Sequence, residues 1–185
     1  AQFILGACHL YSSEIPQAIS QLKASHATSE NWTSADEVLL LLAEAQQRSG
    51  DAPAAQASLK SLLAKFPNTR LKQQVTYKLA QLSAAMNRYD DAISGYRKVL
   101  ADPDAANLHR FSQYGIAWAL MQQEQYDKAL VELDKIPASR LPDSISLESQ
   151  LARGLCQRKT GQPEKAIDSR RKFLEQSPTG NSLGN

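Results

Sequence analysis

The sequence predicts an all-α protein of five antiparallel helix-turn-helix units, one every 37 residues. Apolar residues recur at steps of three and four, as in an amphipathic helix, and no segment alternates with a period of two. Small residues recur at steps of 37. In the first helix they are Gly6, Ala43, Ala80, Ala117 and Gly154, and in the second Ala18, Ala55, Ala92, Ala129 and Ala166. Larger side chains would hold the two helices of a unit apart, so these positions define the hairpins.

The stretch from Tyr77 to Pro103 is the clearest unit and sets the phase of the others. Asn87 ends its first helix, Tyr89–Leu100 form the second, and Pro103 ends the unit. The other predicted helices include 2–11, 14–23, 107–123, 126–136, 144–159 and 163–176. We expect one domain over residues 1–178, with repeats at about 1–30, 31–68, 69–105, 106–142 and 143–178, and a frayed tail at 179–185.

Signals at helix ends support this division. Ser34 and Glu37 have the spacing of a capping box at the start of the second unit. Gly50 is predicted to end that helix in a left-handed conformation, and Asp51 to cap the next one, which stops at Lys65 before a proline. The polar segment 24–31 is predicted to be a loop.

Bulk properties exclude several function classes. The net charge is +2, too small to indicate nucleic-acid or anionic-membrane binding, and no apolar run is long enough to span a bilayer. The N-terminal segment lacks a basic leader and lies in phase with the repeats, so we expect the first helix of a hairpin rather than a signal peptide. Because the chain begins within the repeat pattern, we expect a fragment or mature form of a longer protein. Cys8 and Cys156 occupy the same repeat position four units apart, which excludes an intrachain disulfide and predicts two small buried residues.

No catalytic or metal-binding pattern is apparent. His9, His26 and His109 lie in three different units without metal-ligand spacing to cysteines or carboxylates; the first is predicted to pack and the other two to be exposed. Phosphate-binding loops and nucleophile motifs are absent from the sequence. We therefore predict a protein that is not an enzyme and needs no cofactor or metal.

The repeats resemble those of the tetratricopeptide repeat (TPR) family over residues 1 to about 178. The residues that carry the resemblance are Leu5-Gly6, Leu42-Ala43, Leu79-Ala80 and Ile116-Ala117, Tyr89 in YDDA and Tyr126 in YDKA, and the closing prolines Pro67, Pro103 and Pro178. The period is 37 rather than about 34, and the signature tryptophan is missing. A looser resemblance links the chain to bacterial envelope TPR proteins of the YbgF and BamD kind, and favours the periplasm or cell envelope over the cytoplasm.

The TPR resemblance implies a right-handed superhelix whose first helices line a concave groove that binds a protein or peptide partner. The groove residues carried over to this chain are Leu40, Arg48, Tyr77, Phe111, Tyr114, Trp118, Met121, Leu155 and Arg158, together with Phe3, Leu10, Tyr11, Glu44, Gln81 and Leu151. In the fourth unit, four of these form an aromatic-rich face, because their spacing of three, four and three places them on one side of a helix. Trp118 and Tyr114 are the predicted anchors.

Three alternatives remain for the aromatic-rich face. The aromatic-rich face could instead be filled within the molecule, or could mediate self-association as a homodimer or docking against the remainder of a longer protein. The last unit holds an excess of basic residues, and Arg153 and Arg170 stand where earlier units have apolar ones. This pattern indicates either a solvated end of the array or a docking site for an acidic partner.

Overall fold

A computed structural model describes residues 1–28, 34–136 and 144–176. These residues form ten α-helices, one short 3-10 helix and no strand. The α-helices are α1 Gln2–Tyr11, α2 Ile15–Thr28, α3 Ala35–Arg48, α4 Ala52–Lys65, α5 Lys72–Ala85, α6 Tyr89–Leu100, α7 Ala106–Gln122, α8 Tyr126–Asp134, α9 Ser144–Lys159 and α10 Pro163–Gln176. The 3-10 helix spans Pro103–Ala105. The all-α prediction is confirmed, while the tail at 179–185 lies outside the described residues.

The bounds of α1, α6, α9 and α10 match the prediction, but those of α2 and α8 do not. α2 continues to Thr28, through residues predicted to be a loop. Ser25 there is buried, and the Thr28 hydroxyl donates to the carbonyls of Ala24 and Ser25, so the polar side chains are accommodated within the helix. α8 ends at Asp134, two residues before Ile136, because the last turn tightens and Ile136 N donates to the Leu133 carbonyl.

The two helices of each hairpin are joined by a turn with one residue in the left-handed region. These residues are Ser13 (φ 62), Gly50 (φ 86), Asn87 (φ 58), Glu124 (φ 58) and Gly161 (φ 74). They are separated by steps of 37 residues, so the backbone conformation repeats with the sequence. Gly50 and Asn87 were predicted to end their helices; Ser13 and Glu124 adopt the same conformation without the glycine that favours it.

Of the two predicted caps, only one is present. The Asp51 carboxylate accepts from Ala54 N at 3.0 Å, as predicted. Ser34 stands at the N-cap of α3 but makes no side-chain cap hydrogen bond, so the capping box is wrong. The Glu37 carboxylate instead pairs with Arg70, so it does not take part in capping α3.

The chain divides into two compact units, Ala1–Asn87 (unit 1) and Arg88–Asn185 (unit 2). In unit 1, α1 pairs with α2, α3 with α4, and α5 packs on α4. One core cluster contains Leu10, Leu22 and Val38, and a second contains Leu39, Leu59 and Leu62.

In unit 2, α6 packs on α7, α7 pairs with α8, α9 packs against both, and α10 pairs with α9. Its buried residues include Tyr96, Ile116, Leu133, Ile145 and Cys156. The single domain over residues 1–178 and the superhelical path of the whole array stay predictions.

The repeated small residues lie at close helix contacts. A Cβ atom on Gly6 would come within 2.8 Å of Leu22 Cγ, so α1 and α2 approach too closely there for a side chain. At Gly154 the nearest atom, the Ala166 carbonyl oxygen, is 3.5 Å away. The predicted constraint is therefore strict in the first hairpin and relaxed in the last.

Candidate functional site

One side of α7 is aromatic-rich and partly open to solvent. We call this set the α7 face: Phe111, Tyr114, Trp118 and Met121. Phe111 is 42% exposed, and the other three are half-buried. The opposite side, with Ile116, Ala117 and Leu120, is buried in the unit. The helix therefore has one packed side and one partly uncovered side.

Neighbouring helices hold the α7 face in place. The Trp118 ring lies edge-on to Tyr89 of α6, with ring centroids 6.0 Å apart and an interplanar angle of 69°. The Tyr114 hydroxyl donates a hydrogen bond to the Glu148 carboxylate of α9. Burial raises the pKa of Tyr114, and the negative charge of Glu148 raises it further. Both rings are therefore fixed before any partner binds.

The close packing of α6 on α7 also requires Gly115, a residue that the sequence analysis did not single out. A Cβ atom there would lie 2.5 Å from Cζ and 2.7 Å from Cε2 of the buried Tyr96 ring. Gly115 thus lets α6 approach α7. It does not fall in the 37-residue series of small residues; the only sequence signal was a lone glycine within a helical pattern.

Leu155 and Arg158 lie in a different place from the α7 face. They line an open groove between α9 and α10, with a volume of about 330 Å³. We call it the end groove and define it by Leu151, Leu155, Arg158, Ala166, Ile167 and Arg170. Leu151, Leu155 and Ile167 are exposed.

The predicted site residues of unit 1 make contacts within that unit. Leu40 is only 9% exposed and packs in a core cluster, so its assignment to a binding groove is corrected; Leu10 is fully buried as well. Arg48 donates to Glu44 Oε1 at 2.8 Å and to the Leu10 carbonyl at 3.3 Å, which stabilises the C-terminal end of α1. Tyr77 is half-buried, and its hydroxyl accepts from Gln81 Nε2 at 3.2 Å.

Arg153 does not provide an uncovered charge. Its Nε lies 3.3 Å from Asp134 Oδ1, and its guanidinium also donates to the Leu133 carbonyl at the C-terminal end of α8. Cations are stabilised at that end of a helix. Arg153 thus joins α9 to α8, a role that depends on a tertiary contact.

The histidine side chains make polar contacts with nearby residues. His9 Nδ1 lies 2.5 Å from Glu14 Oε2, and His109 Nε2 lies 2.9 Å from the Asp102 carbonyl oxygen. His26 and His109 are half-buried rather than exposed, since each packs beside a neighbouring segment. Within the described ranges, no three His, Cys, Asp or Glu side chains are grouped to hold a metal ion.

Among the described helices, none combines the length and the apolar composition that crossing a membrane requires.

The two cysteines are both free thiols but differ in environment. Cys156 is buried, which raises its pKa to about 11, whereas Cys8 is exposed, contrary to the prediction that both are buried. Only a thiolate reacts with a disulfide reagent. We expect Ellman's reagent at about pH 8 to titrate one thiol in the native protein and both in denaturant, and the fast signal to disappear in Cys8→Ser. Rapid labelling of Cys156 in the native state would contradict its burial.

Comparisons with known proteins agree with the repeat architecture. Residues 21–181 match the family described as T7SS, ESX-1 secretion system protein EccA1, N-terminal domain. The chain belongs to this family. A search of curated proteins finds no significant match.

Solved structures show the same fold at low sequence identity. MamA is similar with a TM-score of 0.77 and 18% identity, covering 100% of this chain and 94% of that one. A TPR protein from Parabacteroides merdae gives 0.77 and 16%, covering 94% of this chain and 64% of that one. MamA from Desulfovibrio magneticus RS-1 gives 0.76 and 17%, covering 94% and 92%.

The predicted membership of the TPR fold is therefore confirmed. Folds of this kind generally mediate protein–protein interactions, and TPR scaffolds are typically non-catalytic. The narrower resemblance to the YbgF and BamD proteins stays a prediction.

Proposed function

We propose that this chain is a non-catalytic scaffold whose α7 face binds an extended or helical segment of a partner protein. The observation that carries the proposal is the partly uncovered aromatic cluster opposite the buried side of α7. Phe111, Tyr114 and Trp118 are of the residue types that dominate binding energy at interfaces. Apolar side chains that stay partly exposed as a contiguous patch tend to mark an interaction site.

The fixed geometry of the aromatic rings supports the proposal. The contact of Trp118 with Tyr89 and the bond from Tyr114 to Glu148 limit the rotamers of both anchors in the free protein. Immobilising a free side chain on binding costs about 0.5–1.5 kcal/mol, so anchors already held in place bind with a smaller loss. Phe111, the most exposed of the four, is positioned to adapt to the bound segment.

The family match indicates which class of partner protein to propose. Its description names a component of the ESX-1 type VII secretion system, and we propose that the partner segment belongs to another protein of such a system. The envelope location inferred from the looser resemblance remains part of this proposal.

Substitution of the anchors tests the proposed surface. With tiled peptides from secretion-system proteins as titrants, we expect Trp118→Ala to weaken the tightest interaction by about 30-fold, the size of a hot-spot loss. Fluorescence anisotropy of labelled peptides gives the affinity. Phe111→Ser, which leaves the Trp118–Tyr89 contact in place, is expected to weaken it less.

Val131→Ser provides the control, because Val131 is an exposed apolar residue of α8 that belongs to neither the α7 face nor the predicted groove residues. Unchanged affinity in Trp118→Ala, or an equal loss in Val131→Ser, would contradict the proposed surface. Concentration-dependent dimerisation in light scattering that Phe111→Ser abolishes would assign the face to self-association.

A further inference from the structure

The end groove is apolar at its base and basic at its edges. Leu151 and Leu155 lie one turn apart on α9, and Ile167, 60% exposed, faces them from α10. Arg158 and Arg170 belong to the same lining, which contains no acidic residue. A segment that fills this groove therefore meets apolar side chains at its base and basic side chains at its edges.

Arg170 occupies a position that is apolar and buried in every preceding repeat. The equivalents at steps of 37 residues are Leu22, Leu59, Tyr96 and Leu133, each exposed by 5% or less. Tyr96 shows what the position does, since its ring packs against Gly115 of the helix that follows. Arg170 is exposed, so a neighbouring helix of the same apolar type would bury an unpaired charge here. The substitution favours an occupant that carries negative charge.

Within the part of the chain that the structure describes, neither basic group of the lining is paired with an acidic side chain. Among the described residues, Arg158 and Arg170 have no acidic side chain within ion-pair distance, whereas the adjacent Arg171 pairs with Asp168 at 3.3 Å. Residues 151–178 as a whole contain seven Lys or Arg against three Asp or Glu. The charge at the groove is therefore available to a partner.

We propose that the end groove binds an acidic amphipathic helix of a partner protein. Two apolar residues of that helix, four positions apart, pack on Leu151, Leu155 and Ile167. Flanking Asp or Glu side chains pair with Arg158 and Arg170; arginine suits this role because its planar guanidinium meets a carboxylate with two hydrogen bonds. This site is separate from the α7 face and stands whether or not that face binds a partner.

Selection from a phage-displayed library of randomised helical peptides tests the occupant. We expect the enriched sequences to combine apolar residues at i and i+4 with Asp or Glu beside them. Their affinity is expected to fall at least tenfold in Arg158→Glu and in Arg170→Glu, and to weaken as salt rises. Arg171→Glu is the matched control, because it makes the same charge change on the next residue of α10, outside the groove, and is expected to have a small effect.

Three results would overturn the proposal. Enriched peptides without acidic residues would exclude the proposed charge pairing. An equal loss of affinity in Arg170→Glu and Arg171→Glu would indicate attraction by net charge alone. Dimerisation in light scattering that Ile167→Ser abolishes would assign the groove to a second copy of this chain. Trp118→Ala is expected to leave the selected peptides bound, which separates this test from that of the α7 face.

Discussion

Replacing Leu133 by arginine is expected to unfold most or all of unit 2. Leu133 is fully buried on α8, so the substitution removes apolar packing and places a charged side chain in the core. Changes of this kind cost about 4 kcal/mol or more, a large part of the stability of a domain of this size. Far-UV circular dichroism during denaturant unfolding measures the loss.

Arg170→Leu, the reverse exchange at the equivalent position of the last repeat, is the matched control. Arg170 is exposed and unpaired among the described residues, so its loss is expected to change the free energy of unfolding by about 0.5 kcal/mol or less. A similar large effect of both exchanges would show that the two positions have the same environment, and would contradict the difference in burial.

The second large effect is expected from Gly115→Ala. The added Cβ would lie 2.5–2.9 Å from three atoms of the Tyr96 ring, which is only 5% exposed and has little room to move. Overpacking of this kind costs about 1–3 kcal/mol, more than the gain of up to about 1 kcal/mol from placing alanine rather than glycine in a helix. We expect a net loss of about 1–2 kcal/mol, measured by denaturant unfolding, together with an altered environment of Trp118 in near-UV spectra.

Gly154→Ala separates the contact from the helix propensity. At Gly154 the nearest atom is 3.5 Å from the added Cβ, an ordinary contact, so alanine is expected to stabilise α9 by up to about 1 kcal/mol. If both glycine substitutions stabilised the protein, α6 and α7 could not lie as close as the structure places them.

Much of the fold follows from the sequence because its strongest signals are local and repeated. The small residues at steps of 37 and the three-and-four spacing of apolar residues predicted the helices and hairpin turns, and Asp51 caps α4 as expected. The error at the start of α3 arises because a distant segment decides the outcome. Ser34 and Glu37 carry the right spacing for a capping box, but Arg70 competes for the glutamate. The local sequence around α3 cannot reveal this competition, because Arg70 lies 33 residues after Glu37.

The candidate site was predicted less completely, for a related reason. The aromatic spacing from Phe111 to Met121 located the α7 face, since helical periodicity alone decides which residues share a side. Whether a residue on that side is open depends on the rotation of its helix against its neighbours. Leu40 therefore proved to be core, and Arg153 proved to join α9 to α8. Repeat phase identifies equivalent positions without giving their surroundings.

The left-handed turn residues are also positions where substitution could raise the stability of this protein. Two of the five turns have glycine, and the other three hold Ser13, Asn87 and Glu124 in a conformation that costs an L-residue about 1–2 kcal/mol, least for asparagine. Each strained turn lies between helices, away from the buried core. Selection or design could therefore adjust the robustness of each hairpin at its turn, residue by residue, while leaving the α7 face and the end groove free to diverge toward new partners.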